Sequence, residues 1–188
     1  RSSFHSFDLE LELGRRDIPF VKRGGFRFIE TAHVKDVLAH LRVIANPSDA
    51  VSWNRILLLL DGVGPKKSGE ILAALGGPSP WERLAEVRLR GQAAAELGRL
   101  ATLLGEVART TNPGEQVSRV LAYYLPVLRR VYRDDYPKRE RDLEHFATIA
   151  LRYRATGALL ADMALEPPTD SVGGILAADA ADEGLVTL

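Results

Sequence analysis

The sequence predicts a mainly α-helical protein with a small α/β portion at its two ends. Three observations carry this. Apolar residues recur at helical spacing over most of the span from Thr31 to Leu165, Gly and Pro interrupt that span at short intervals, and strand-like composition is confined to Ile18–Phe28 and Gly184–Leu188.

From Ser3 to Arg16, Phe7, Leu9, Leu11 and Leu13 stand among acids and bases in a pattern that fits either a helical or an alternating period; the weight of Glu, Leu and Arg favours helix. Ile18 to Phe28, with Pro19, Val21 and the Gly24–Gly25 pair, reads as a short strand or hairpin after a turn. From Thr31 the period turns helical: Val34, Val37, Leu38 and Leu41 share one face, and Asn46-Pro47-Ser48-Asp49 ends the run. Further helices are expected at Ala50–Leu60, Pro65–Leu75, Pro80–Arg88, Ala93–Arg109, Glu115–Val131, Pro137–Arg154 and Thr156–Leu165. After Glu166 the small and acidic residues read as a linker, and Gly184 to Leu188 reads as the start of a strand with no partner within the chain.

Composition narrows the function. The 188 residues are enough for one substantial core, and 46% hydrophobic content suits a globular protein. The 25 basic residues cancel the 25 acidic ones, so a nucleic acid would have to be held by a local cluster or by backbone amides. The absence of cysteine removes disulfides, thiolate metal sites and cysteine nucleophiles, and fits a reducing cytoplasm. The densest apolar run, Ile56 to Leu60, is far short of the roughly 20 residues that cross a bilayer, so no membrane partner is expected.

One motif carries chemistry. From Ile56 to Leu72 an apolar helix, then Gly62-Val63-Gly64, then a second helix opened by Pro65-Lys66-Lys67-Ser68 form the helix-hairpin-helix pattern. Glycines permit positive φ in a tight turn and let a phosphate approach without a Cβ in the way. Val63 can pack back between the helices. Pro65 suits the first helical turn, where free amides point outward at the positive end of the helix dipole and make an anion site. Lys66 and Lys67 add charge that holds phosphate without reading bases. The alternative is a plain helical hairpin, with the glycines ending one helix and starting the next. A Walker A loop needs Gly directly before Lys-Ser and a strand ahead of it, whereas Lys66 precedes Lys67-Ser68. The phosphate reading requires the turn to be exposed with its N–H groups unpaired.

Other candidates are weaker. Arg129, Arg130, Arg133, Lys138, Arg139 and Arg141, interleaved with Tyr132 and Tyr136, form a basic stretch that Asp134, Asp135, Glu140 and Asp142 can compensate as a solvated face. His5, His33, His40 and His145 lack metal-ligand spacing. No nucleophile stands with an acid–base pair, and a helix-hairpin-helix glycosylase would want an Asp soon after the hairpin, yet none follows Gly64 before Asp134.

At several stretches the chain resembles the UvrD/Rep/PcrA helicases of superfamily 1: Arg1-Ser2-Ser3 with Ser6 and Leu9-Glu10, Ile18-Pro19-Phe20, Gly24 to Glu30, Val34 to Arg42, Asn46-Pro47-Ser48-Asp49 and Gly62-Val63-Gly64. Their order is that of the segment between motifs IV and V, and Leu185 to Leu188 resembles the lead into motif V.

The resemblance implies that 1–36 is part of the second RecA-like domain (2A), 37–166 the helical 2B subdomain, 167–183 a linker and 184–188 a strand returning to 2A. It implies a DNA-binding part of an ATP-dependent 3′ to 5′ DNA helicase whose partners are duplex DNA, the single-strand/duplex junction and the remaining helicase domains. Arg1 matches an arginine that reaches the ATP γ-phosphate, as an arginine finger does. Phe26, Arg27 and Phe28 fall where the family lines its single-strand path. Gly62 to Ser68 fall on its duplex contact. Two departures stand out: Asp61, where a basic residue is frequent, and Phe7, where an arginine is frequent. Walker A, Walker B and motif VI are not in these residues, so ATP and Mg are expected in the parent enzyme and not on this chain, which alone should not hydrolyse ATP. The different reading kept beside it is a helical protein-interaction or autoinhibitory module without direct DNA contact.

Overall fold

In the computed structural model, residues 28–75 and 80–164 are described, together with Leu9, Glu12, Leu13, Arg15, Arg16, Ile18, Phe20, Val21, Val186 and Thr187. Arg1, Phe26 and Arg27 lie outside the described residues, and of Phe28 only the backbone is described. The chain divides into two compact units, Ala32–Leu160 and the two flanks Arg1–Thr31 with Ala161–Leu188.

In the flanking unit, Leu9, Glu12, Leu13 and Arg15 are helical, and Ile18 N–H donates to the Leu13 carbonyl at 3.0 Å. Arg15 donates through Nε and Nη2 to Asp162 Oδ2 at 3.0 and 2.8 Å. Strand β1 (Phe20–Val21) pairs in parallel with β2 (Val186–Thr187), Phe20 opposite Val186. This corrects the expectation that the terminal strand lacks a partner within the chain. A parallel pair cannot be joined by a tight turn, so nothing near either strand in sequence announces the pairing.

The helical unit begins, after a 3-10 turn at Phe28–Glu30, with α1 (Ala32–Ala45). There follow α2 (Ala50–Leu57), α3 (Pro65–Ala74), the short α4 (Pro80–Arg83) with a 3-10 turn at Leu84–Glu86, α5 (Gln92–Ala108), α6 (Pro113–Val131), α7 (Tyr136–Ala150) and α8 (Thr156–Ala164). Punctuation sets these bounds. Asp49 caps α2 by accepting from Ser52 N–H at 3.0 Å, and Asn112 caps α6 by accepting from Glu115 N–H at 3.0 Å. Pro65 and Pro113 occupy first-turn positions where a missing N–H costs nothing. The expected helix Ala50–Leu60 ends early, at Leu57, and its last residues make turns instead.

Helix α1 is the centre of this unit, packing against α2, α5, α6 and α7. Its expected apolar face of Val34, Val37, Leu38 and Leu41 is buried, but so are His33, Asp36 and His40. Asp36 and His33 are satisfied from other helices, and His40 from the backbone of α1 itself. Arg55 Nε donates to Asp36 Oδ1 at 2.7 Å, the Tyr124 hydroxyl donates to Asp36 Oδ2, and Arg55 Nη2 reaches the Ala32 carbonyl at 3.1 Å. His40 Nδ1–H donates to the Asp36 carbonyl at 2.8 Å, and burial lowers its pKa to about 4.

Arg139 Nη1 lies 3.0 Å from His33 Nδ1, and a guanidinium only donates, so His33 is the neutral tautomer that gives its Nε2–H to Asp142, 3.2 Å away. Burial lowers the His33 pKa, Asp142 opposes this, and Arg139 adds to it. Burial, with Asp36 beside it, pushes the Tyr124 hydroxyl up.

Candidate nucleic-acid interface

The Gly62–Val63–Gly64 turn joins α2 to α3, two helices that pack on each other. Val63 is buried, and its N–H donates to the Leu60 carbonyl at 3.2 Å, so its side chain anchors the turn. Ser68 is fully buried, and its hydroxyl donates to Asn54 Oδ1 at 2.7 Å, tying α3 to α2. Neither side chain is available to a phosphate, which corrects the expectation of Val63 and Ser68 as contact residues; both hold the turn from behind.

The outer face is different. Gly62, Gly64, Pro65, Lys66 and Lys67 are exposed. The first backbone bond of α3 runs from Ser68 N–H to the Gly64 carbonyl at 2.9 Å, and Gly64 supplies no side-chain cap. Among the described residues nothing accepts from the N–H groups of Gly62, Gly64, Lys66 or Lys67. Uncapped amides at the start of a ten-residue helix leave its partial positive charge open to solvent.

The two glycines have different causes. Gly62 has φ +76°, a conformation L side chains rarely adopt, and a Cβ there would sit 3.5 Å from Ala93 Cβ on α5. Gly64 has φ −100° and ψ −177°, extended backbone open to any residue, and a Cβ there would meet nothing within 4 Å. The expectation that both glycines supply positive φ is corrected for Gly64. The fold does not require a glycine at that position.

The lysines are also unequal. Lys67 Nζ donates to the Gly62 carbonyl at 2.7 Å, fixing a positive charge on the turn. Lys66 is exposed, with no hydrogen bond or ion pair to another described residue. The region does not fit a triphosphate loop, because a helix precedes it, the Lys67 amine is turned onto the backbone and the Ser68 hydroxyl is enclosed. No ATP chemistry is assigned to these residues.

Sequence reading missed what braces the turn from outside. Arg130, on α6, donates to the Leu59 carbonyl at 2.9 Å and to Asp61 Oδ2 at 3.1 Å, and its Nη1 is 3.7 Å from Glu96 on α5. Glu96 is itself nearly buried, paired with Arg99 and bonded by Gln92 Nε2 at 3.1 Å. Asp61 and Arg130 are 69 positions apart, so no local pattern joins them.

Three members of the basic stretch further along, Arg129, Arg130 and Arg139, are paired with carboxylates. Arg129 pairs with Glu140 at 2.6 Å, and Arg139 pairs with Asp135 at 2.8 Å while lying 3.9 Å above the Tyr132 ring. Such pairs on an exposed helix pair fit a compensated face better than a nucleic-acid track. No group of three or more His, Asp or Glu able to hold a metal occurs among the described residues. None of their helices is long and apolar enough to cross a membrane.

Residues 1–75, which end just after α3, match the family model described as the UvrD-like helicase C-terminal domain. Over these residues the chain is similar to UvrD-like helicases. It is 47% identical over 57 residues to the ATP-dependent DNA helicase UvrD1 of Mycobacterium tuberculosis, covering 30% of this chain and 7% of that protein. With the ATP-dependent DNA helicase PcrA of Staphylococcus epidermidis it shares 35% over 94 residues, 48% of this chain and 13% of that protein. With DNA helicase II of Escherichia coli it shares 31% over 118 residues, 59% of this chain. The chain spans 16% of the length of that last relative.

Proposed function

We propose that this chain is a DNA-gripping part of an ATP-dependent 3′ to 5′ helicase, and that α2, the Gly62–Gly64 turn and α3 work as a helix-hairpin-helix on the duplex backbone. The observation that carries this is an exposed helix start where the N–H groups of Gly62, Gly64, Lys66 and Lys67 find no acceptor among the described residues, beside the Lys66 side chain and the pinned Lys67. Gly64 adds to it. A glycine that neither backbone angle nor internal packing requires suits a place where a phosphate comes close to the main chain. The contact reads no base, because amides and lysines meet only the backbone.

Within the parent enzyme, Arg1 acts as the arginine finger on the ATP γ-phosphate, with Mg on the nucleotide, and Phe26, Arg27 and Phe28 line the single-strand path. These assignments rest on the resemblance alone. In the same reading 37–166 is the 2B subdomain, and 1–36 with 184–188 belong to 2A.

The test is a titration of the chain against a duplex with a single-stranded tail at several salt concentrations. The parent should bind more weakly as salt rises. Lys66→Glu with Lys67→Glu should weaken binding and flatten the log–log slope by roughly one unit per lost phosphate contact. If the double variant binds as the parent does, the hairpin is not the contact, and a protein-interaction module becomes the better reading.

A further inference from the structure

The turn carries an acidic residue where a phosphate is to be held, and the structure supplies its counter-charge. Asp61 directly precedes Gly62, and an uncompensated carboxylate there would repel the phosphate that the amides attract. Its partner is the single guanidinium of Arg130, which also grips the Leu59 carbonyl and leans on Glu96. We propose that Arg130 is a positioning residue of the phosphate site: held over the turn by the Leu59 carbonyl, it neutralises Asp61, so that the open amides face a phosphate in a net-positive field. This rests on the phosphate reading of the turn and adds a requirement from α6 to it.

The geometry sets Arg130 apart from an ordinary surface pair. Its fork is divided among three acceptors on two other segments, one of them the nearly buried Glu96. Glu96 already has Arg99 and Gln92, which leaves Arg130 free to serve Asp61. The charges facing Arg130 from every packed element are thus Asp61, Glu96 and Arg99, with Lys67 pinned one residue beyond Asp61.

A charge role and a merely structural role make opposite predictions. Arg130→Gln keeps a polar donor but exposes the Asp61 charge, and should weaken tailed-duplex affinity about fivefold to tenfold at low salt, less at high salt. Adding Asp61→Asn removes the charge that was exposed, and should return affinity to within about twofold of the parent. Arg130→Lys keeps the charge without the fork and should bind close to the parent. Helical circular dichroism and thermal melting on each variant report folding separately. If Arg130→Gln with Asp61→Asn stays as weak as Arg130→Gln, or if Arg130→Gln binds like the parent while Lys66→Glu with Lys67→Glu does not, the proposal is overturned and the phosphate turn stands. If the lysine variants bind like the parent, both fail together.

Discussion

A methyl group added at Gly62 and one added at Gly64 meet different fates. At Gly62 it forces an L side chain into the left-handed region, which costs about 1–2 kcal/mol, so Gly62→Ala should lower the melting temperature. At Gly64 it enters open space in an extended backbone, so Gly64→Ala should melt as the parent does and yet bind tailed duplex more weakly. Equal binding by Gly64→Ala would show that nothing approaches that Cα closely. The Gly-Val-Gly pattern was legible because it is contiguous, and so were the proline and lysines after it. The burial of Val63 and Ser68 behind the turn was not, because Asn54 reaches Ser68 only once α2 and α3 have packed. Arg130 read as one more member of a basic run until α6 placed it over Leu59 and Asp61.

The helices themselves were largely legible from caps and punctuation, with Asp49, Pro65, Asn112 and Pro113 each standing where a helix starts. What periodicity could not show is that α1 buries three ionisable groups. His33 finds Arg139 and Asp142 on α7, and Asp36 finds Arg55 on α2 and Tyr124 on α6, partners set by tertiary packing, while His40 bonds the Asp36 carbonyl of α1 itself. This arrangement makes the helical unit acid-sensitive. Both histidines are held neutral with pKa values below the ordinary 6.5, while in the unfolded chain they protonate near 6.5. The unfolded state therefore binds more protons below that pH, so the stabilisation is complete above about 6.5 and is lost as pH falls towards 4. For His40, falling to about 4, the loss grows to roughly 3 kcal/mol once the pH is below about 4. Urea midpoints measured between pH 7.5 and 4.5 should fall across this window, and His40→Gln should flatten the decline. An unchanged slope in that variant would assign the acid sensitivity elsewhere.

At the level of the whole chain, the equal totals of acid and base leave no broad positive field, so in the proposed reading the hold on DNA depends on where a few charges sit. The two compact units are joined through the chain at Thr31–Ala32 and Leu160–Ala161, while the flanks meet in one parallel strand pair. That pairing was invisible in sequence because its members lie at opposite ends of the chain. It also dictates how the helical unit can be exchanged. Parallel neighbours need a crossover of a dozen or more residues that returns the chain pointing the same way, and here the entire helical unit serves as that crossover. A graft of the corresponding helices from a similar chain should therefore be accepted so long as Phe20 still aligns with Val186, whereas a two-residue splice between the strands should leave them unable to pair. In engineering terms, β1 and β2 form the socket, and the helices between them are a replaceable cartridge.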